Sequence, residues 1–184
     1  MTDHQIHTIE TAPEESKGQL QQSKDTIGFV PNLHAVMAEA PGLLATYKFA
    51  HEQFQKSSFN KEELTVVWQT INVEHDCHYC VPAHTGIAHS MKVDPAINEA
   101  LRNETPLADA RLEALRTFVL SVVRNRGLVD DAEVETFLNA GFTKRHVLEV
   151  VLGVAQKVMS NYINHLADTP IDPPFQNFNW EKAA

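Results

Sequence analysis

The sequence predicts an all-α fold, and three observations support that prediction. Glycine is scarce, with 7 residues in 184. Alternation of apolar and polar residues never extends beyond a few positions, and no Asn-Gly or Asp-Gly pair indicates a hairpin turn. Helical spacing is clearest where apolar residues recur at i, i+3, i+4 and i+7, namely Leu64, Val67, Trp68 and Ile71. The length allows one substantial core, so the chain is interpreted as a single domain over 1–184.

Start and stop signals predict the individual helices. Residues 1–25 are interpreted as a polar arm, and Gly28 to Asn32 as a turn in which Asn32 caps a short helix that ends before Pro41. Seven further helices are predicted. The first spans Leu43 to Phe54, the second follows the cap Asn60, the third spans His84 to Met91, and the fourth begins at Asp94-Pro95. The last three run from Leu107 to Arg124, from Asp130 or Asp131 to Gly141, and from Thr143 through Ile163.

The C-terminal segment 168–184 is predicted to be an extended arm. Three prolines, at 170, 173 and 174, exclude a continuous α-helix there. Its aromatic residues Phe175, Phe178 and Trp180 are expected to anchor the arm to another surface.

Composition restricts the partners. The 15 basic and 24 acidic residues give a formal net charge of -9, which argues against nucleic acid or an anionic membrane as a partner. The polar N-terminal residues do not resemble a signal peptide, and no apolar run approaches the roughly 18 residues of a membrane span. A cytoplasmic protein is expected. In that compartment an isolated C-x-x-C pair is more often redox-active or metal-binding than a permanent disulfide.

The only two cysteines lie in the motif C-x-x-C-x-x-x-H, formed by Cys77, Cys80 and His84. A disulfide this short in sequence closes too small a loop to stabilise a fold. Pro82 indicates that a helix begins nearby, and a helix N-terminus favours a thiolate. Helix position alone favours Cys77 as the reactive thiol. His84 lies four residues after Cys80, which places the imidazole over the Cys80 side chain and favours Cys80.

The segment 74–85 resembles the core of the carboxymuconolactone decarboxylase superfamily, in its alkyl hydroperoxidase D (AhpD)-like, peroxidase-related branch. The resemblance extends to residues 29–33, 64–72, 140–142 and 147–164. It implies an AhpD-like helical bundle that assembles into trimers or larger rings. The implied activity is peroxide reduction by a dithiol that cycles to a disulfide.

By the same resemblance, Cys80 matches the thiol that attacks the peroxide, Cys77 the resolving thiol, and His84 the histidine that handles protons. The implied partners are a peroxide substrate, an external thiol–disulfide reductant protein and further copies of the chain.

The family also places a relay glutamate about a dozen residues before the first cysteine, where this chain has Thr65. If the loop before Cys77 is three residues longer than usual, Glu62 takes the relay position. Glu74 and Glu63 are the other candidates.

Several alternatives remain open at this stage. Six cysteine and histidine residues within fifteen positions raise the possibility of zinc, but a structural zinc site usually has a second ligand pair farther along the chain, and none exists here. No metal or cofactor is expected, and no glycine-rich phosphate loop is present. A carboxymuconolactone decarboxylase-type enzyme and a redox-sensing module are the other possibilities. His165, with Asn161 one turn earlier on the last helix, is a candidate for reaching the thiol site, but a core or interface histidine with its hydrogen bonds satisfied is the preferred interpretation. Tyr79 is expected to pack rather than react.

Overall fold

The computed structural model describes residues 4–182, which form nine α-helices and one 3-10 helix without any β-strand. The predicted all-α class is therefore confirmed. The helices are α1 Glu14–Ile27, α2 Asn32–Met37, α3 Pro41–Gln55, α4 Lys61–Glu74, α5 Cys80–Ser90, α6 Pro95–Arg102, α7 Ala110–Arg124, α8 Asp131–Asn139, α9 Lys144–Ala167 and the 3-10 helix Pro173–Phe178.

Local capping chemistry sets most of the predicted helix starts. Asn60 and Asp130 each form a reciprocal capping box with the glutamate three residues later. Asp94 accepts a hydrogen bond from the Ala96 backbone N–H at the start of α6. The α7 helix begins three residues later than predicted from Leu107, because Asp109 caps it.

Three details of the prediction were wrong. The polar arm contains α1, a helix whose buried side holds Ser16, Leu20 and Ser23. Asn32 is the first residue of α2 rather than its cap, and its side chain donates to the Pro170 carbonyl oxygen at 3.0 Å. The C-terminal arm is not fully extended, because Pro173 and Pro174 occupy the first positions of the 3-10 helix, where a missing N–H is tolerated.

The α9 helix crosses the bundle and packs closely against α3 and α4. This approach depends on Gly153: a Cβ atom there would lie 2.9 Å from both Phe54 Cε2 and Val67 Cγ1. In α4 every residue from 63 to 73 is buried, so this helix is the centre of the bundle. The close contact of α9 with these helices brings its inner face next to the thiol motif.

The C-terminal arm covers the thiol motif and α5. The Tyr79 hydroxyl donates to the carboxylate of Asp172, which also accepts the Asn32 backbone N–H at 2.9 Å. A Cβ atom at Gly86 would lie 2.7 Å from the Phe175 ring, so the glycine leaves room for that ring. Tyr79 is therefore an anchor point for the arm.

No helix in residues 4–182 is both long and apolar enough to cross a membrane.

Candidate active site

The thiol motif occupies a sharp turn between two buried helices. The α4 helix ends at Glu74, and Asp76 adopts a positive φ of 52° to reverse the chain. The Cys77 backbone N–H then donates to the Asn72 carbonyl oxygen at 3.0 Å, and Cys80 is the first residue of α5. As the sequence predicted, the motif opens a helix, with Cys77 before it and Cys80 at its first position.

Both cysteines are free thiols and both are buried. The Cys80 backbone N–H donates to Cys77 Sγ at 3.3 Å. The Asn164 side-chain amide donates to Cys80 Sγ at 3.2 Å and lies 3.9 Å from Cys77 Sγ. The two sulfur atoms therefore face the same amide group of α9.

The surroundings separate the pKa values of the two thiols. Burial alone would raise the pKa of Cys80. The neighbouring Cys77 thiol, the positive charge of Lys157 and the nearby polar side chains of Ser160 and Asn161 together lower the Cys80 pKa to about 5. The pKa of Cys77 is raised, first by its hydrogen bond to Cys80 and then by burial. At neutral pH the pair therefore holds one thiolate, on Cys80, and one thiol, on Cys77.

Lys157 is fully buried on the face of α9 that also carries Asn164, the donor to Cys80 Sγ, and its Nζ atom lies 3.0 Å from His84 Nε2. Burial and the Lys157 charge keep the pKa of His84 well below its usual value, so the imidazole is neutral and Nε2 accepts the hydrogen bond. Within the described residues, His84 Nδ1 has no hydrogen-bond partner. The sequence placed the imidazole over the Cys80 side chain, but its hydrogen bond is formed with Lys157 instead.

The inner face of α9 carries four fully buried polar side chains at i, i+3, i+4 and i+7, namely Lys157, Ser160, Asn161 and Asn164. Of these only Asn161 was considered from the sequence, and His165 lies on the exposed side of the helix. The signal was available: polar residues followed the spacing that normally belongs to a buried apolar face.

A chain of buried amides holds the first turn of α5 in place. The Asn161 side chain donates to Asn72 Oδ1 at 3.1 Å, and the Asn72 side chain donates to the Cys80 carbonyl oxygen at 3.3 Å. Gln69 donates to the Val81 carbonyl oxygen at 3.2 Å. Buried amides of this kind fix geometry because every unmade hydrogen bond is costly.

Each of the three candidate relay glutamates has a cationic partner elsewhere. The pairs are Glu62 with Lys61 at 3.5 Å, Glu63 with Arg111 at 2.8 Å and Glu74 with Arg124 at 2.7 Å. The hydrogen bond with Arg124 holds the pKa of Glu74 below its usual value. No hydrogen bond or ion pair of the described residues connects these carboxylates to the thiols or to His84. Lys157 occupies the position beside His84 instead.

The histidines around the motif point away from the sulfur atoms. His75 Nδ1 lies 2.9 Å from Asn161 Oδ1, and His78 Nε2 lies 3.1 Å from the Thr169 carbonyl oxygen. In residues 4–182, no three side chains of histidine, cysteine, aspartate or glutamate converge in a group suited to a metal ion.

A row of five aromatic side chains connects the surface with the thiol site. Successive ring centroids lie 5.7, 6.2, 5.3 and 4.9 Å apart, in the order His34, Tyr47, His51, Trp68 and His84. The first three rings also line a cavity of about 630 Å³ between α1 and α3. This volume suits a small organic molecule. The rings that line the cavity are thus in contact, through Trp68, with His84 of the thiol motif.

Comparisons with known proteins identify the fold. No protein-family model matches the sequence, and no curated protein matches it. The structure is similar to an alkylhydroperoxidase AhpD core, an uncharacterized peroxidase-related protein from Ralstonia eutropha JMP134, with a TM-score of 0.83 and 20% identity over 94% of this chain and 93% of that chain. It is also similar to an uncharacterized peroxidase-related protein from Silicibacter sp. TM1040, with a TM-score of 0.79 and 20% identity over 94% and 92% of the two chains.

A third similar structure is a cysteine-to-alanine variant of the debrominase Bmp8 in complex with 2,3,4-tribromopyrrole. Its TM-score is 0.78 at 13% identity, over 96% of this chain and 95% of that chain. The chain therefore has the AhpD-like fold of the peroxidase-related proteins, as the motif resemblance implied. Identities of this size establish the fold and leave the chemistry to the site itself.

Proposed function

We propose that the protein is an enzyme, a thiol-dependent peroxidase that reduces a hydroperoxide by a dithiol–disulfide cycle. The observation that carries the proposal is the buried pair of free thiols: both sulfur atoms face the Asn164 amide, and the surroundings lower the pKa of Cys80 and raise that of Cys77. A low-pKa thiolate next to a second thiol is the arrangement that two-step peroxide reduction requires.

In the first step the Cys80 thiolate attacks the outer oxygen of the hydroperoxide. The O–O bond breaks, Cys80 becomes a sulfenic acid, and the departing alkoxide takes a proton and leaves as an alcohol. Cys77 then condenses with the sulfenic acid, releasing water and forming the disulfide. An external dithiol protein, in the reducing setting of the cytoplasm, restores the two thiols by exchange.

His84 remains the proposed proton-handling histidine, because its neutral ring is in contact with Lys157 beside the thiol pair. The relay role predicted for Glu62 stays a prediction, and the observed contacts of this residue give it no support.

The proposed entry for the substrate is the cavity between α1 and α3. Cys80 is 2% exposed, so a peroxide must pass between other side chains to reach it. Tyr47 and His51 line the cavity and belong to the ring row that ends at His84. Substitution of Tyr47 by alanine is expected to raise the rate with bulky hydroperoxides relative to hydrogen peroxide.

The outer face of α9 supports the proposal of a homo-oligomer. Its exposed apolar side chains Leu148, Val151, Tyr162 and Leu166 form one stripe along the helix. Solvent-exposed apolar stripes of this size are typical of interfaces between subunits. The double substitution Leu148→Glu and Leu166→Glu is expected to lower the oligomer mass in light scattering, and an unchanged mass would locate the interface elsewhere.

The decisive test is hydroperoxide consumption with a dithiol reductant by the wild-type protein, Cys80→Ser and Cys77→Ser. Cys80→Ser should be inactive. Cys77→Ser should accumulate a sulfenic acid on Cys80 that dimedone traps and mass spectrometry detects. Unchanged turnover in Cys80→Ser would end the proposal, and trapping on Cys77 in Cys80→Ser would reverse the two roles.

A second candidate for the same thiol pair is removal of a halogen from a small aromatic ring. The likeness to Bmp8, described as a debrominase bound to 2,3,4-tribromopyrrole, favours this alternative. Release of bromide from that compound by the reduced wild-type protein, and not by Cys80→Ser, would support it.

A further inference from the structure

Lys157 is a buried cation that the proposed cycle has not yet used. The residue is 0% exposed, and within the described protein the one hydrogen-bond partner of its Nζ atom is His84 Nε2, at 3.0 Å. No carboxylate in residues 4–182 forms an ion pair with it. A buried ammonium group without a counter-charge is strongly unfavourable, so the site must supply a negative charge when Lys157 is protonated.

The groups that feel the charge of Lys157 come from two elements and the turn before one of them. The α5 helix and its preceding turn supply Cys77, Cys80 and His84, and α3 supplies His51. Both histidines are held neutral by burial, and burial also raises the pKa of the Tyr47 hydroxyl on α3, which stays protonated. Only a thiol of the pair can therefore become the anion that the buried lysine needs.

The charged side chains on the remaining helices packed against α9 have partners other than Lys157. The carboxylates of α4 and the arginines of α7 are engaged with partners, in the pairs Glu62–Lys61, Glu63–Arg111, Glu74–Arg124 and Arg116–Glu113. On α2, His34 is hydrogen-bonded to the Ser23 hydroxyl at 3.0 Å. The neighbours of Lys157 on the inner face of its own helix are uncharged.

We propose that Lys157 is the counter-ion of the Cys80 thiolate and the acid that protonates the departing oxygen. The lysine thus performs the part that a relay glutamate was expected to perform, with the opposite charge. The acid role rests on the proposed peroxidase function, whereas the ion pair between Lys157 and Cys80 does not depend on that function.

The steps balance with the proton carried by Lys157. The reduced site contains the Cys80 thiolate and the Lys157 ammonium. Attack on the outer oxygen leaves OH on sulfur and expels an alkoxide, which takes one proton from Lys157, so that an alcohol leaves and the lysine becomes a neutral amine. When Cys77 condenses with the sulfenic acid, the S–S bond forms, the S–OH bond breaks, and the thiol proton leaves with the hydroxide as water. The external dithiol then reduces the disulfide, and one of its protons returns to Lys157.

In the oxidised site the disulfide carries no negative charge, and the Lys157 amine carries no positive charge. Oxidation and reduction therefore proceed without an uncompensated buried charge at either end of the cycle.

The first test titrates the Cys80 thiol in the reduced full-length protein, by thiolate absorbance at 240 nm and by the pH dependence of alkylation. The wild-type midpoint is expected at a pKa of about 5. In Lys157→Met the midpoint should rise by about one to three pH units, because an opposite charge at close range is lost. Lys157→Arg should retain most of the depression. The matched control is Lys24→Met, which removes one positive charge at the exposed end of α1 and should leave the midpoint unchanged.

The second test follows hydroperoxide consumption against pH for the same variants. Lys157→Met should lose activity at every pH, including above its new thiol midpoint, because the departing oxygen has no acid. Added methylamine should restore part of the activity of Lys157→Ala. Circular dichroism checks that each variant is folded, and Lys157→Gln serves if the methionine variant is not.

The outcomes separate the two halves of the inference. An unchanged thiol midpoint in folded Lys157→Met would overturn the counter-ion role. A shifted midpoint with full activity above it would overturn the acid role. If the wild-type protein consumes no hydroperoxide at all, the peroxidase function and the acid role fail together, and the titration still decides the ion pair.

Discussion

Three buried histidines should make the protein sensitive to mild acid. His34, His51 and His84 each have a pKa lowered by burial, to about 3 for His34 and about 4 for His51. In the unfolded chain each histidine binds a proton near its ordinary pKa of about 6.5. The unfolded state therefore takes up more protons than the folded state as the pH falls below that value. The stability contributed by the neutral rings is complete above pH 6.5 and is lost as the pH falls toward the folded pKa values.

The expected loss is large compared with typical stabilities. At pH 5.5 one histidine that stays neutral in the folded state lowers the free energy of unfolding by about 1.4 kcal/mol relative to high pH. Three such residues together lower the free energy of unfolding by about 4 kcal/mol, a figure good to a factor of two. This is a substantial part of the roughly 5–15 kcal/mol typical of a domain.

Urea denaturation at pH 7.5, 6.5 and 5.5 measures this loss. The measurement is best made in the triple variant Cys77→Ser, Cys80→Ser and Lys157→Met, because the Cys80 thiolate, or the lysine left without it, would add a pH dependence of the same sign. The substitution His51→Phe keeps a flat ring between its stacking neighbours and removes one titrating group. It should reduce the loss between pH 7.5 and 5.5 by about 1 kcal/mol. Equal stability at pH 7.5 and 5.5, or an undiminished loss in His51→Phe, would refute the reasoning.

Three further predictions concern packing and ion pairs. Gly153→Ala should lower the free energy of unfolding by about 1–3 kcal/mol, because the added Cβ would meet Phe54 and Val67 at 2.9 Å. The control Gly18→Ala on α1, which has open space around it, should raise the free energy of unfolding by up to about 1 kcal/mol. Glu63→Gln should cost about 1–3 kcal/mol in urea titration because the carboxylate is buried, whereas the more exposed pair of Glu74 should contribute at most about 1 kcal/mol. Tyr79→Phe should increase hydrogen exchange in residues 168–182, since it removes a hydrogen bond to the C-terminal arm; protection equal to that of the wild type would count against this anchoring role.

The elements predicted correctly from the sequence are those determined by nearby residues. Asn60 and Asp130 start helices through side chains that reach only three positions along the chain. The α1 helix was missed because it contains few apolar residues. Its contacts are instead polar and distant in sequence, such as the Ser16 hydroxyl donating to the Ala38 carbonyl oxygen and Lys48 Nζ donating to the Gln19 carbonyl oxygen at 2.7 Å.

The same distinction applies to the site. Cys77, Cys80 and the start of α5 form one short motif, so the spacing was sufficient to bring them together. Lys157 lies 73 positions after its partner His84, and no local rule connects the two. The relay glutamate was placed by counting residues. That count favoured Glu62; of the other candidates, Glu63 forms the capping box of α4 with Asn60, a role that the sequence pattern also indicates.

The part of α9 next to the thiols is arranged opposite to an ordinary surface helix: from Lys157 to Asn164 its buried side chains are polar, whereas exposed apolar side chains follow the outer face of the helix. A change designed to improve solubility, such as a charge at Leu148 or Leu166, would therefore fall on the face away from the thiols. A change toward a more apolar interior, such as Asn164→Leu, would fall on the thiol pair itself, because the Asn164 amide donates to Cys80 Sγ at 3.2 Å. For this helix, hydropathy is thus a misleading guide to which substitutions are safe, and a variant library scored on core hydrophobicity would favour changes at the reacting group.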